Sequence, residues 1–386
     1  MNNFTFANPV KIIFGKDTIK NISQEIPENS KVLVIYGGGS IKKNGVYDQV
    51  VQALKPFEWK EFSGVEANPH YETCMKAVQV IKEEKITYVL AVGGGSVIDA
   101  TKFIVAAACF EEGDPWRILS EKATVKVKKA ISYGTVLTLS ATASEMNSGA
   151  VITREETREK LSFGSPLVFP KFSVLDPTVT FTLPPVQISN GVVDAFVHVI
   201  EQYLTYPVNG VLQDFMAEAI LKTLITEGPK ALENPTDYDV RANLMWASSW
   251  ALNGWISCGV PQDWATHMIG HELTAFYGID HAQTLAIVLP GVMEVMKEDK
   301  KEKILRLGRE VFALQADSTN ELVNSTINAV ENFFHTMHIK TRLSDYKLGE
   351  EAVQKVHQRM EQRGWKLGEH QKIDAGKVEQ ILELRK

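Results

Sequence analysis

The first half of this 386-residue chain alternates between two kinds of segment, and the alternation stops at Leu183-Pro184-Pro185. That change restricts the fold more than any other feature. "KVLVIY" (Lys31 to Tyr36) is a β-branched run that ends in three glycines, and "ITYVLAVGGGS" (Ile86 to Ser96) repeats the arrangement. Between them, residues 71–84 carry apolar side chains at helical spacing. After the second glycine run, "SVIDATKFIVAAACF" reads as a helix with Ser96 as its N-cap. "AISYGTVLT" and "FSVLDP" read as further buried strands. Strand, loop and helix in alternation predict a parallel α/β sheet of Rossmann-like type. Beyond Pro184 the strand signals nearly vanish, and residues 192–205, 212–224 and 240–255 carry helix-period apolar positions. The expected architecture is an α/β domain over residues 1–183 and an all-helical domain over residues 184–386.

Composition excludes several classes. The apolar fraction of 44% and charged fraction of 23% are those of a soluble globular protein. A net charge of -6 offers no basic stripe for nucleic acid. The three cysteines, Cys74, Cys109 and Cys258, are odd in number and far apart, so neither a disulfide framework nor a CxxC zinc pair is expected. The opening "MNNFTFANPVKIIFG" lacks the form of a signal peptide, and no apolar run approaches the roughly 20 residues of a membrane span. A cytoplasmic protein with no membrane partner is the expectation.

The two glycine runs, Gly37-Gly38-Gly39-Ser40 and Gly93-Gly94-Gly95-Ser96, each follow a strand. Glycines there let the backbone approach a ligand, and the helix that follows adds a positive dipole end, a combination suited to a pyrophosphate. Neither run is GxGxxG, so the ordinary dinucleotide fingerprint is absent. Two glycine turns in a sheet explain one run, but two runs in one α/β domain favour a dinucleotide. No acid follows Tyr36 to bind a ribose 2′-OH, whereas Ser40, Lys42 and Lys43 offer groups for a 2′-phosphate. NADP(H) is therefore expected over NAD(H).

Of nine histidines, three lie in "QDWATHMIGHELTAFYGIDHAQT": His267, His271 and His281. His267 and His271 share a helix face. Gly278 breaks that helix, and a turn there can fold His281 back. Asp194 and His198 are also four apart, in the largely apolar "GVVDAFVHVIEQY", where an unpaired acid is costly. One metal ion satisfies both sets, and imidazoles with a carboxylate suit zinc or iron(II) alike. A metalloprotease does not fit: Glu272 follows the second histidine, and Gly270 stands where HxxEH needs its acid.

With these residues in place the chain resembles the iron-containing (group III) alcohol dehydrogenases, in their NADPH-dependent butanol dehydrogenase and broad-range aldehyde reductase branch. The carrying motifs are YGGGS, AVGGGSVIDATK, LDP…TLPP…NGVVDAFVHVIEQY and GVPQDWATHMIGHELTAFYGIDHAQTLAIVLP. The resemblance implies a dinucleotide-binding α/β domain followed by an all-helical metal domain. It implies Asp194, His198, His267 and His281 as metal ligands, with His271 near the nicotinamide. It places Gly94, Gly95 and Ser96 at the pyrophosphate, Asp99, Thr138, Thr142 and Lys160 along the nicotinamide half, and Asn68 on the adenosine side. It also suggests a homodimer. The chain departs from the family pattern at Ser140 (a proline there), Ala143 (a glycine) and Ser189 (a small apolar residue). A Cβ at 143 crowds the loop if φ there is positive.

The reaction expected is aldehyde reduction by hydride transfer from NADPH, with the metal as Lewis acid and His271 as proton relay. Trp246, Trp250, Trp255, Trp264, Phe276 and Tyr277 are candidates for an apolar pocket, with helical core packing as the competing explanation. The alternatives are a polyol (glycerol-type) dehydrogenase of the same fold, a metal-dependent hydrolase that needs no nucleotide, and a non-catalytic NADP(H) binder.

Overall fold

The computed structural model describes all 386 residues. Eight strands form: β1 (Lys11–Phe14), β2 (Lys31–Tyr36), β3 (Glu58–Phe62), β4 (Tyr88–Gly93), β5 (Tyr133–Leu137), β6 (Gly149–Arg154), β7 (Glu159–Gly164) and β8 (Phe172–Leu175). Six of them make one parallel sheet in the order β1-β8-β5-β4-β2-β3, and β6 and β7 pair as an antiparallel hairpin. Five helices accompany them: α1 (Ile22–Glu25), α2 (Val46–Ala53), α3 (Tyr71–Glu84), α4 (Gly95–Ala107) and α5 (Arg117–Ser120).

The strand period of two divides the core. Leu33, Ile35, Val89 and Ala91 face one way and pack with Cys74, Val78, Ile98 and Phe103 of α3 and α4. Val32, Val34, Leu90 and Val92 face the other way, with Ile19, Val46 and Val50. Strands covered on both faces are apolar throughout, which made β2 and β4 readable. The edge strand β3, "EWKEF", is charged and largely exposed, a composition that discourages pairing with another chain. β2 and β4 are neighbours, with Tyr36 opposite Val92, so the two glycine runs emerge side by side at the carboxyl ends of adjacent parallel strands.

Nine more helices follow: α6 (Pro185–Tyr203), α7 (Val211–Glu233), α8 (Tyr238–Ala251), α9 (Ala265–Tyr277), α10 (His281–Val295), α11 (Lys301–Glu310), α12 (Thr319–Thr336), α13 (Glu350–Arg363) and α14 (Ala375–Glu383). Pro185 opens α6 at a position where a missing N–H costs nothing. Gly278 closes α9 in the left-handed region, with φ of 68°, and α10 begins three residues later at His281. Ile269 and Leu273 of α9 pack with Ile287 and Val288 of α10, Val353 and Val356 of α13, and Ile381 of α14. No helix is long and apolar enough to cross a membrane.

The chain divides into two compact units: Ala7–Leu183 with Pro235–Ser249, and Met1–Phe6 with Pro184–Asn234 and Trp250–Lys386. A single cut at residue 184 therefore misplaces two segments. Most of α8 belongs with the sheet, because Arg241 donates to the Thr180 hydroxyl at 2.8 Å and carbonyl at 2.9 Å, and Ser249 donates to Glu145 at 2.5 Å. The first six residues belong with the helices: Asn2 N–H donates to Gly259 carbonyl at 2.9 Å, and Phe6 meets Trp255 edge-on. A second correction concerns α4, whose N-cap is Gly94 and not Ser96.

Candidate metal and cofactor sites

The helical unit gathers the histidines. Asp194 and His198 lie on α6, His267 and His271 on α9, and His281 starts α10. The Asp194 Oδ1 atom is 3.7 Å from His198 Nε2, 3.8 Å from His267 Nε2 and 3.7 Å from His281 Nε2. Ligand atoms of Asp194, His267 and His281 all lie within 4.8 Å of one another, while His198 shares Asp194 with them but stands outside that trio. These separations exceed hydrogen bonds. They sit near the roughly 3.4 Å between ligands held tetrahedrally at about 2.1 Å from one ion. His267 Nε2, the atom facing Asp194, is buried with no hydrogen-bond partner. A buried nitrogen left in that state is costly unless a cation takes its lone pair, so the residues fit a divalent metal.

Burial lowers His198 to a pKa of about 4, which leaves a neutral imidazole ready to bind metal. His267 goes the other way. Burial opposes its protonation, but the Glu201 and Asp194 carboxylates outweigh this and raise it to about 9. His271 is buried, with its ring centroid 5.1 Å from that of His281 and 6.2 Å from that of His267, and it is outside the trio. Glu201 was not among the residues expected from sequence. It is 3% exposed, and its Oε2 pairs with His267 Nδ1. Its position was the available signal: seven residues after Asp194 and three after His198, on one face of a helix with few other acids. Of the six aromatics considered for a pocket, Trp264 meets the cluster, edge-on to His198 at 6.2 Å and to His267 at 5.4 Å. Trp246 packs on Phe14, Trp250 on Trp255, and Phe276 and Tyr277 on each other under Lys355.

The α/β unit gathers most of the residues expected at a nucleotide. α4 starts directly after β4, and no side chain caps it. A Cβ at Gly95 would lie 2.7 Å from Thr142 Cγ2, so glycine is needed here for the packing of the loop as well as for any ligand. Thr138 N–H donates to Gly93 carbonyl at 3.0 Å. Asp99 accepts from the Ser144 hydroxyl at 2.5 Å and from Val151 N–H at 2.9 Å, so its carboxylate holds the 142–151 loop. Lys102, another residue sequence reasoning missed, holds the same loop through Ser144, Asn147 and the Gly149 carbonyl at 2.8, 2.7 and 2.6 Å. Ala143, the departure from a family glycine, does have positive φ, 50°, and is fully buried. Lys160 on β7 donates to Asn68 at 2.8 Å, which joins two of the expected residues.

Gly37, Gly38 and Gly39 follow β2, and Ser40 opens a short 3-10 turn. Gly39 has φ of 93°, and a Cβ at Gly38 or Gly39 would meet nothing within 4 Å. Lys42 is 3.2 Å from Glu61 and lies over the Tyr47 ring at 4.6 Å, while Lys43 is exposed.

Residues 9–177 match the family described as iron-containing alcohol dehydrogenase, and residues 188–385 match its C-terminal domain family. The chain is 51% identical to the NADPH-dependent aldehyde reductase YqhD of Escherichia coli over 99% of both chains, and the crystal structure of that protein superposes with a TM-score of 0.98, covering 100% of this chain and 99% of the other. It is 42% identical to NADP-dependent alcohol dehydrogenase 3 of Entamoeba histolytica, over 99% of this chain and 98% of the other. The structure of NADH-dependent butanol dehydrogenase A from Thermotoga maritima is 39% identical, with a TM-score of 0.95 over 100% and 99% of the two chains. The chain belongs to the iron-containing alcohol dehydrogenase family.

Proposed function

We propose that this chain is an NADP(H)-dependent reductase of short-chain aldehydes, acting through one divalent metal, iron(II) or zinc, held by Asp194, His198, His267 and His281. The observation that carries it is a single buried carboxylate oxygen facing three imidazole nitrogens at 3.7–3.8 Å. Bound there, the cation supplies Lewis acidity toward the substrate oxygen, and reduced nicotinamide supplies the hydride. The remaining work falls to the chain. His198 stays neutral because it is buried, so it does not repel a cation. His271, adjacent to His281, would be the group that passes a proton to the substrate oxygen. Gly94, Gly95 and Ser96 present the uncapped start of α4 to a pyrophosphate, and Asp99, Thr138, Thr142 and Lys160 shape the loops around the nicotinamide half. Asn68 anchors Lys160, and Gly37 to Ser40 receive the adenosine end.

Preference for the 2′-phosphate rests on Ser40 and exposed Lys43, since Lys42 is already paired with Glu61. Relatives named for either nucleotide make this the point to test. The cytoplasm fits three free cysteines, and a homodimer is carried forward from the family resemblance. The test is initial-rate kinetics of metal-loaded protein with butanal and either NADPH or NADH, and with glycerol and NAD. Higher kcat/KM with NADPH and butanal is expected. Turnover of glycerol with NAD but none of butanal with NADPH would replace this reading with the polyol alternative.

A further inference from the structure

We infer that Glu201 is a positioning residue for the metal centre, fixing through one carboxylate both the ring of His267 and the start of the helix that carries it. The inference rests on the metal reading above. The two oxygens have separate tasks. Oε2 takes His267 Nδ1, while Oε1 accepts from Thr266 N–H at 2.6 Å and from His267 N–H at 3.4 Å. The Glu201 carbonyl also accepts from Asp263 N–H at 2.9 Å. Residues 263, 266 and 267 are thus all tied to one residue of α6, and α6 also carries Asp194 and His198. Three of the four donors, Asp194, His198 and His267, are therefore referenced to a single helix.

When a cation takes the place of the proton on His267 Nε2, the imidazole keeps one N–H. With Nδ1–H directed at Glu201, the Nε2 lone pair faces Asp194 Oδ1, and the ring cannot turn without breaking the pair. A carboxylate on the outer nitrogen fixes ligand orientation and raises its basicity. The same carboxylate lies at the first turn of α9, where the helix dipole favours negative charge. The segment it holds has reason to drift. Trp264 sits at φ of 63°, a strained region for a bulky side chain, between Asp263 and the first turn. Asp263 adds a second tether, accepting from Ala265 N–H at 2.7 Å while Lys300 grips its other oxygen at 2.7 Å.

The experiment uses full-length metal-free protein and compares wild type with Glu201→Gln, Glu201→Asp and Asp194→Ala. Glu218→Gln serves as a control, since Glu218 is another buried glutamate of the same unit, bonded to Tyr203 and Arg306 and not to a histidine. Cobalt(II) binding is followed by its visible spectrum, and zinc affinity by competition with a chromophoric chelator. Melting temperatures are recorded in parallel. Glu201→Gln should weaken zinc and cobalt binding by about 10- to 100-fold and alter the cobalt spectrum. Glu201→Asp should recover part of both, and Glu218→Gln should leave both unchanged whatever it does to melting. Wild-type affinity and spectrum in Glu201→Gln would overturn the assignment, as would metal loss that merely tracks melting temperature across the Glu201 and Glu218 variants. Absence of Asp194-dependent cobalt binding in the wild type would instead overturn the metal reading beneath it.

Discussion

Gly95→Ala separates two roles of the second glycine run. In the structure an added Cβ lies 2.7 Å from Thr142 Cγ2 and 3.1 Å from Thr142 Cβ, well inside ordinary contact. Forcing that overlap costs about 1–3 kcal/mol. Alanine in a helical turn returns roughly 0.5–1 kcal/mol of that through reduced freedom of the unfolded chain. Thr142→Ala removes both atoms that the methyl would overlap most, Oγ1 and Cγ2, but with the hydroxyl goes its hydrogen bond from Ser144 N–H at 3.2 Å, a loss of about 1 kcal/mol. In the double variant only the 3.1 Å approach remains, so much of the overlap disappears. The double should therefore lose about 1–2 kcal/mol less than the two single changes summed. Equilibrium urea unfolding without nucleotide measures the cycle. NADPH affinity, measured separately, should stay reduced in the double, because the methyl at 95 still narrows the approach to the helix start. Additivity within about 0.5 kcal/mol would refute the packing argument. It would mean that the loop yields to the methyl.

Three further outcomes follow from the same structure. Ala143→Gly relieves about 1–2 kcal/mol of left-handed strain, loses about 0.8 kcal/mol of methyl burial and adds about 0.5–1 kcal/mol of chain entropy, so the terms nearly cancel. Its melting temperature should move by less than about 4 °C, and a loss above 2 kcal/mol (roughly) would show that Ala143 does more than tolerate its conformation. Glu369 is pushed up to about 7, mainly by burial and then by the adjacent Asp263 carboxyl, against 4.5 for an ordinary glutamate. The folded chain then holds the extra proton, so this group's contribution is full below pH 4.5 and is lost as pH rises through 7. Glu369→Gln should flatten the stability profile in that window, and an unchanged slope by urea unfolding would contradict the assignment. Zinc at 100 times its Kd should add about 2.7 kcal/mol to the folded state, read as a higher melting temperature that Asp194→Ala abolishes. Equal metal stabilisation of the Asp194→Ala variant would place the ion elsewhere.

What was legible in the sequence follows from where the determining contacts lie. β2 and β4 are apolar along their length and end in glycine, so they announced themselves locally. β1 is four residues long, β3 is charged, and β6 and β7 alternate weakly, so none has a strong local signature. The attachment of α8 to the sheet depends on Arg241 reaching Thr180 and Ser249 reaching Glu145, partners 61 and 104 residues away. No local pattern encodes such pairs. The histidines stood out because two i, i+4 pairs of costly polar residues interrupt apolar helices. Glu201 did not, because a glutamate near a helix end looks solvated until its burial is known. Lys102 was hidden for the same reason, and its three acceptors come from a loop more than 40 residues on.

The central claim, carbonyl reduction at one metal held by Asp194, His198, His267 and His281, is tested most directly by counting metal against turnover. Metal-free protein is titrated with iron(II) or zinc while NADPH oxidation by butanal is followed. Activity should rise in proportion to added metal and level off at about one ion per chain, with no rise in Asp194→Ala. Turnover that is already present without metal, or none in protein shown to hold one ion, would contradict the account.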